Sequence, residues 1–159
     1  MSHRPHKPLT TKIRHYAEDV RTSITKRKDL RRYGIAYYNF WEVGPVAQSW
    51  FYRFLQRPAL RGMAKNKPVA FFSVFGRKRL LQLCGTERRV FFTGEDLARF
   101  PEYQNLSKDE VTLSLGFNLQ ERGNYLRFPL WLLDFFSPTA TQEGIAARIN
   151  KLEAVANDF

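Results

Sequence analysis

A short polar segment offers the clearest chemistry in this sequence. The segment is Thr93-Gly94-Glu95-Asp96. Its threonine is the last residue of an apolar run, 88–93, that predicts a buried strand, and the other three residues follow that run. A single carboxylate in a cleft is what general-base chemistry requires. The glycine before Glu95 allows a tight turn that would direct the carboxylate into a crevice. The alternative is structural, with Glu95 or Asp96 capping the helix that follows.

Several other chemistries are excluded by what the chain lacks. The histidines are His3, His6 and His15, so a nucleophile activated by histidine is excluded from the rest of the chain. The glycines never approach the spacing of a phosphate-binding loop, and no metal-ligand spacing of Cys or His occurs. The single cysteine, Cys84, excludes an intramolecular disulfide, favours a reducing compartment and is predicted to be buried.

The composition is that of one folded domain. The 159 residues are 43% apolar and 15% aromatic, which excludes a fully disordered chain. No stretch reaches the ~18 uninterrupted apolar residues that a membrane span needs. No apolar block follows the basic amino terminus, so a secretory signal is not predicted either. We expect a cytoplasmic protein and leave open a peripheral position on the inner face of the membrane.

Positive charge is concentrated near the amino terminus. Residues 1–32 hold ten basic and three acidic side chains, whereas residues 33–159 hold 16 basic and 12 acidic ones. The net charge is therefore +7 for the first segment and +4 for the second. We divide the chain into a basic tail with an amphipathic helix, 1–32, and a folded domain, 33–159.

The basic segment contains a predicted helix. After a cap at Thr10 or Thr11, apolar residues recur at helical spacing, namely Ile13, Ala17, Val20 and Ile24. Three interpretations are open: the helix packs on the domain, lies on an anionic membrane surface, or grips nucleic acid. Nucleic acid is the least favoured partner, because the rest of the chain lacks an interleaved basic and aromatic pattern.

Short apolar runs separated by helical patterns indicate the fold class. The runs are 33–40, 68–75, 88–93, 111–117 and 125–128. Runs without clean alternation are typical of a sheet that is covered on both faces. We predict an α/β fold with a mostly parallel sheet and helices on both faces. Ligands bind beyond the carboxyl ends of such strands, which adds Glu42 and the segment 73–76 to the candidates.

Four motifs, in this order, resemble those of a known family. They are Tyr37-Tyr-Asn-Phe-Trp41, Arg89-Val-Phe-Phe-Thr-Gly-Glu95, the strand end Gly116-Phe117, and Tyr125-Leu-Arg-Phe-Pro-Leu130. Over roughly residues 33–136 the chain resembles glycosyltransferase family 10, the α-1,3/1,4-fucosyltransferases, and its bacterial members in particular. The resemblance implies that residues 33–159 are a Rossmann-like domain, one half of a two-domain GT-B enzyme in which the first domain binds a glycan acceptor and the second binds GDP-fucose. It implies no metal and no other cofactor.

The resemblance also implies roles for individual residues. The family's proposed general base maps onto Glu95, which would take the proton of the acceptor hydroxyl in an inverting transfer. The candidates for the acceptor-side cleft are Thr93, Gly94, Asp96, Glu42, Arg127 and Tyr125.

The donor-binding motifs of the family have no counterpart in these residues. We therefore expect the chain to be inactive alone, as a fragment, as one partner of a split enzyme that needs a separate donor-binding domain or chain, or as an acceptor-binding relic. The alternative is a non-catalytic module that binds a glycan or a protein partner.

Overall fold

The structure is a computed structural model, and it describes residues 9–41, 44–58, 60–61, 66–118, 120–128, 133 and 136–157. The α-helices are α1 (Leu9–Tyr33), α2 (Trp50–Leu55), α3 (Leu80–Leu83), α4 (Gln104–Asp109) and α5 (Gln142–Asn157). The strands are β1 (Ile35–Tyr38), β2 (Val69–Phe72), β3 (Arg89–Phe92), β4 (Leu113–Gly116) and β5 (Tyr125–Arg127). Three 3-10 helices span Val46–Gln48, Leu97–Arg99 and Pro101–Tyr103.

The strands form a single parallel sheet. Their order is β1-β2-β3-β4-β5, and every neighbouring pair is parallel. In the register of the central strand, Phe91 lies beside Phe72 of β2 and Phe92 lies beside Leu115 of β4. The predicted α/β fold with a parallel sheet is confirmed, and each predicted apolar run contains one of the strands.

Alternate residues of the strands supply two separate cores. Tyr38, Phe72 and Phe91 point to one face, where Leu30 of α1 and Leu81 of α3 cover them. Their neighbours on the same strands, Tyr37, Phe71 and Phe92, point to the other face, where Phe51 of α2 covers them. Because a strand turns successive side chains to opposite faces, a run that is apolar throughout fits between two layers of helices. The predicted coverage of both faces is confirmed, and Cys84 is buried in the first core.

The docked face of helix α1 is not the apolar stripe that indicated the helix. Asp19, Ser23 and Leu30 are buried, whereas Ile13 and Ile24 are among the exposed large apolar side chains. The periodicity of Ile13, Ala17, Val20 and Ile24 did predict a helix, but this stripe is not the docked face. None of the described helices is long and apolar enough to cross a membrane.

Polar contacts hold the docked face of α1 against the β2–α3 connection and α3. The hydroxyl of Ser23 donates to the carbonyl of Leu83, and Arg27 Nη2 donates to the same carbonyl at 3.1 Å. The buried carboxylate of Asp19 accepts from Arg77 Nε at 2.6 Å and lies 3.8 Å from Arg79 Nη1. This pairing explains why a polar face is buried, since a buried carboxylate is stable only when a charged partner compensates it.

The ion pair between Asp19 and Arg77 is also visible in the acidity of the arginine. The hydrogen bond from Arg77 to Asp19 raises the pKa of the guanidinium above its ordinary value, in spite of some desolvation. Arg77 also donates to the exposed carboxylate of Glu18 at 3.1 Å. One guanidinium therefore holds two carboxylates of α1 to the segment after β2.

We expect Arg77→Ala to lower the free energy of unfolding by about 2 kcal/mol in a urea titration. The substitution leaves the Asp19 carboxylate buried, with Arg79 Nη1 at 3.8 Å as its remaining ion-pair partner among the described residues. The loss is smaller than for a fully buried pair, because the side chain of Arg77 is 43% exposed. The matched control is Arg14→Ala, which removes a 3.8 Å exposed pair with Glu18 and should cost less than about 1 kcal/mol. Equal losses for the two variants would show that Asp19 does not depend on Arg77.

Candidate active site

The end of β3 brings Glu95 to the carboxyl edge of the sheet. Thr93 follows the last residue of the strand, is buried, and accepts a hydrogen bond at its Oγ1 from the backbone N–H of Glu95 at 3.0 Å. Gly94 is not one of the described residues that have a positive φ. The turn therefore does not use the left-handed conformation that a glycine allows. The hydroxyl of Thr93 closes it instead.

The two neighbouring carboxylates have different environments. Asp96 Oδ1 accepts from the backbone N–H of Ala98 at 2.9 Å and so caps the 3-10 helix Leu97–Arg99. Glu95 makes no side-chain hydrogen bond and no ion pair with the described part of the chain. The structural alternative, a cap on the following helix, therefore applies to Asp96 and not to Glu95.

Glu95 lines a narrow cleft between the ends of β3 and β4. Other walls of the cleft come from the end of β3 and from β4, β5 and the loop between them; they include Thr93, Phe117, Gln120, Arg122 and Tyr125. The space in the cleft that a water-sized group can occupy is about 20 Å³, which is room for one water molecule. The cleft can therefore admit a single hydroxyl group beside the carboxylate, while a sugar ring would have to lie outside it on the open edge.

Tyr125 forms a rigid wall of this cleft. Its hydroxyl donates to the carbonyl of Asn118 at 2.7 Å, which holds the loop after β4 in place. Gly116 lies directly beside it, since an added Cβ there would be 2.7 Å from the tyrosine oxygen. Burial raises the pKa of the Tyr125 hydroxyl by more than the nearby Arg122 and Arg127 lower it. The tyrosine is therefore a neutral hydrogen-bond donor at neutral pH.

The structure brings together only some of the residues predicted for the site. Thr93, Glu95 and Tyr125 line one cleft. Asp96 and Arg127 do not line it; Arg127 is exposed, and its Nε donates to the carbonyl of Phe117 at 3.1 Å. The predicted candidate at position 42 lies outside the described residues.

The predicted segment 73–76 closes a different part of the sheet edge. Ser73 is buried, and its Oγ has no hydrogen-bond partner within the described ranges. Gly76 packs against Asn39, whose side chain an added Cβ would overlap. Asn39 Nδ2 donates to the carbonyl of Arg77 at 3.1 Å, so it ties the end of β1 to the segment after β2. These contacts fix the edge next to β3 without contributing to the Glu95 cleft.

Sequence reasoning did not single out the exposed aromatic residues of this edge, although Phe75 lies within the predicted segment 73–76. Phe117 lies directly after β4, is exposed and lines the Glu95 cleft. Trp41 and Phe75 follow β1 and β2, are also exposed, and contact each other edge to face with ring centroids 6.1 Å apart. The available signal was their position, since each follows a strand just as Thr93 does.

Two further observations concern what the edge could hold. Within the ranges that the structure describes, no group of three or more His, Cys, Asp and Glu side chains is arranged as a metal site. The exposed rings present apolar faces, and such faces commonly mark binding surfaces. The edge therefore combines aromatic surface with one carboxylate that has no partner among the described residues.

The comparison with known families identifies the class of the protein. Residues 35–134 match the family described as the alpha-(1,3)-fucosyltransferase FucT N-terminal domain. The match covers more than half of the chain and includes all five strands, so the chain belongs to this family. The resemblance to fucosyltransferases predicted from the motifs is confirmed. Neither a curated protein nor a solved structure matches the chain.

We expect Thr93→Val to increase the hydrogen-exchange rate of the Glu95 amide about fivefold, as measured by NMR. The substitution removes the acceptor of that amide, and such a bond contributes about 1 kcal/mol. Thr93→Ser keeps the hydroxyl and should preserve the wild-type rate. If the Glu95 amide exchanges equally fast in the Ser and Val variants, the hydroxyl of Thr93 does not hold the turn.

Proposed function

We propose that this chain is the acceptor-side half of an inverting fucosyltransferase with Glu95 as the general base. The observation that carries the proposal is the state of the Glu95 carboxylate. It lines the cleft at the carboxyl edge and has no hydrogen bond or ion pair with the described residues, whereas Asp96 beside it is engaged as a cap. A general base must be free to accept a proton, and of these two carboxylates only Glu95 meets that condition.

The proposed reaction is a single displacement at the anomeric carbon. The acceptor hydroxyl gives its proton to Glu95 as its oxygen attacks the anomeric carbon of GDP-fucose, and GDP leaves from the opposite face. The configuration of the sugar is thereby inverted. The small volume of the cleft supports this arrangement, because a hydroxyl fits beside Glu95 while the rest of the glycan stays outside.

The acceptor is proposed to be a glycan that lies across the carboxyl edge. Three exposed rings, Trp41, Phe75 and Phe117, offer apolar faces there. Tyr125 and Asn118 hold the wall of the cleft in one shape, so the position of an entering hydroxyl would be defined. In this proposal the edge binds the glycan and Glu95 activates one of its hydroxyl groups.

The donor is proposed to bind elsewhere, in a second domain of a GT-B arrangement or in a separate chain. The matched family region is an N-terminal domain, and the Glu95 cleft is far too small for a nucleotide sugar. No metal takes part in the proposed reaction, so positive groups on the donor side have to stabilise the leaving diphosphate. These 159 residues alone would then bind an acceptor without transferring fucose. A cytoplasmic setting is part of the proposal, since the free Cys84 suits a reducing compartment.

A test of the base combines the full chain with the donor-binding domain of a complete family member. We expect Glu95→Gln to lower kcat for fucosyl transfer by about a hundred- to ten-thousandfold, with little change in the KM for the acceptor. The control is Asp96→Asn, which makes the same chemical change one residue later. Asparagine also caps helices well, so this variant should keep a near-normal kcat.

The same assay separates the enzyme from a binding module. Near-normal transfer by Glu95→Gln would overturn the assignment of the base. If the unchanged chain binds an oligosaccharide containing N-acetylglucosamine but shows no transfer with any donor-binding domain, the protein is a glycan-binding module.

A further inference from the structure

We propose that α1 binds the surface of an anionic lipid bilayer through its solvent-facing side. This inference does not depend on the proposed function. Helix α1 ends at Tyr33, and the region that matches the family begins at residue 35. The surface in question is therefore a feature of this chain outside the matched domain.

An apolar stripe runs along the solvent-facing side of α1. We call Leu9, Ile13, Ala17 and Ile24 the outer stripe. Leu9 is 72% exposed, Ile13 60% and Ile24 54%, and Ala17 is exposed as well. At about 100° per residue the four fall within a sector of about 80°. Large apolar side chains that share one exposed sector are unfavourable in water and mark a surface that is covered by a partner.

The outer stripe cannot turn inward to the domain. A neighbouring sector of the helix, about 100° away, is fixed by the buried residues Asp19, Ser23 and Leu30. Arg77 pairs with Asp19, and the carbonyl of Leu83 accepts from Ser23. Rotating α1 to bury the stripe would break these contacts and expose Leu30, so the stripe remains available to a partner.

A row of basic side chains lies beside the outer stripe. We call Arg14, Arg21, Lys28 and Arg32 the basic flank. All four are exposed, and at about 100° per residue they fall within about 40° of one another, next to the stripe. An apolar stripe beside a row of Lys and Arg is what a helix presents when it lies in the interface of an anionic membrane.

The acidic side chains of α1 leave most of this positive charge in place. Asp19 is buried against Arg77. Glu18 Oε1 lies 3.8 Å from Arg14 Nε, whereas Glu18 Oε2 forms the closer ion pair, at 3.1 Å from Arg77 Nη2. Asp29 pairs with Lys26, at 3.8 Å, which is not part of the basic flank. The basic flank therefore attracts anions.

The combination of the two features favours lipid over other partners. A nucleic acid would neutralise the basic flank but leave the outer stripe in water. A second copy of the chain would cover the stripe but bring two basic flanks together, and like charges oppose that contact. An anionic bilayer takes up the apolar side chains and offers phosphate groups to the basic ones.

The test is flotation of the full chain with lipid vesicles. We expect the protein to bind vesicles of phosphatidylcholine with about one-third phosphatidylserine, and to bind pure phosphatidylcholine at least tenfold less. Binding should weaken as salt is added, because salt screens the attraction. Equal binding to the two kinds of vesicle, or binding to neither, would overturn the proposal.

Substitutions within the stripe test the apolar contribution. Ile13→Gln combined with Ile24→Gln should weaken binding to the phosphatidylserine vesicles at least tenfold. The control is Leu126→Gln on β5, because Leu126 has the same 54% exposure as Ile24. This variant should bind vesicles like the unchanged chain. All three side chains are exposed, so thermal unfolding followed by circular dichroism should stay unchanged. Undiminished binding by the double variant would contradict a role for the stripe.

Substitutions in the flank test the electrostatic contribution. Arg21→Gln with Lys28→Gln should weaken binding about twentyfold, because each basic residue near an anionic surface contributes about fivefold. Arg53→Gln with Arg88→Gln removes two exposed charges outside α1 and is the control. Salt-sensitive RNA binding that depends on Arg21 and Lys28 but not on Ile13 and Ile24 would overturn the proposal, because the partner of α1 would then be a nucleic acid and not a lipid bilayer. A dimer that the stripe variant abolishes, without vesicle binding, would assign the surface to a second copy.

Discussion

The register of β3 in the parallel sheet is the constraint on which the candidate site depends. Phe91 packs into one core and Phe92 into the other, so a slip of one residue would exchange the two faces of the strand. The point at which β3 ends is therefore fixed by burial on both faces. Because β2 and β4 run parallel to β3, the segments after all three strands emerge at the same edge. The positions of Thr93 and Glu95 at that edge follow from the packing of the sheet.

The acidic side chains near α1 and β3 show how the environment decides a carboxylate's role. Asp19 is buried and paired with Arg77, so it fixes a helix. Asp96 accepts from a backbone N–H, so it begins one. Glu95 has neither kind of partner among the described residues and lines a cleft. The first two carboxylates stabilise the fold, and only the third is available for chemistry.

The sequence predicted the sheet well because its strands are apolar on both faces, which leaves little choice of secondary structure or layer. Its residue pattern predicted that a carboxylate follows β3 but left open whether Glu95 or Asp96 caps the next helix, since only geometry shows which one meets the N–H of Ala98. It did not reveal the docked face of α1. Burial of Asp19 depends on Arg77, 58 residues away in the chain, and no local periodicity reports such a pair.

The most direct measurement of the central claim is a crystal structure of the chain with a bound acceptor oligosaccharide. If Glu95 is the base, one hydroxyl of the glycan will lie about 2.6–3.2 Å from a Glu95 carboxylate oxygen, with the sugar ring on the open edge. A glycan bound at another surface, or a carboxylate of Glu95 turned away from every hydroxyl of the bound sugar, would contradict the account.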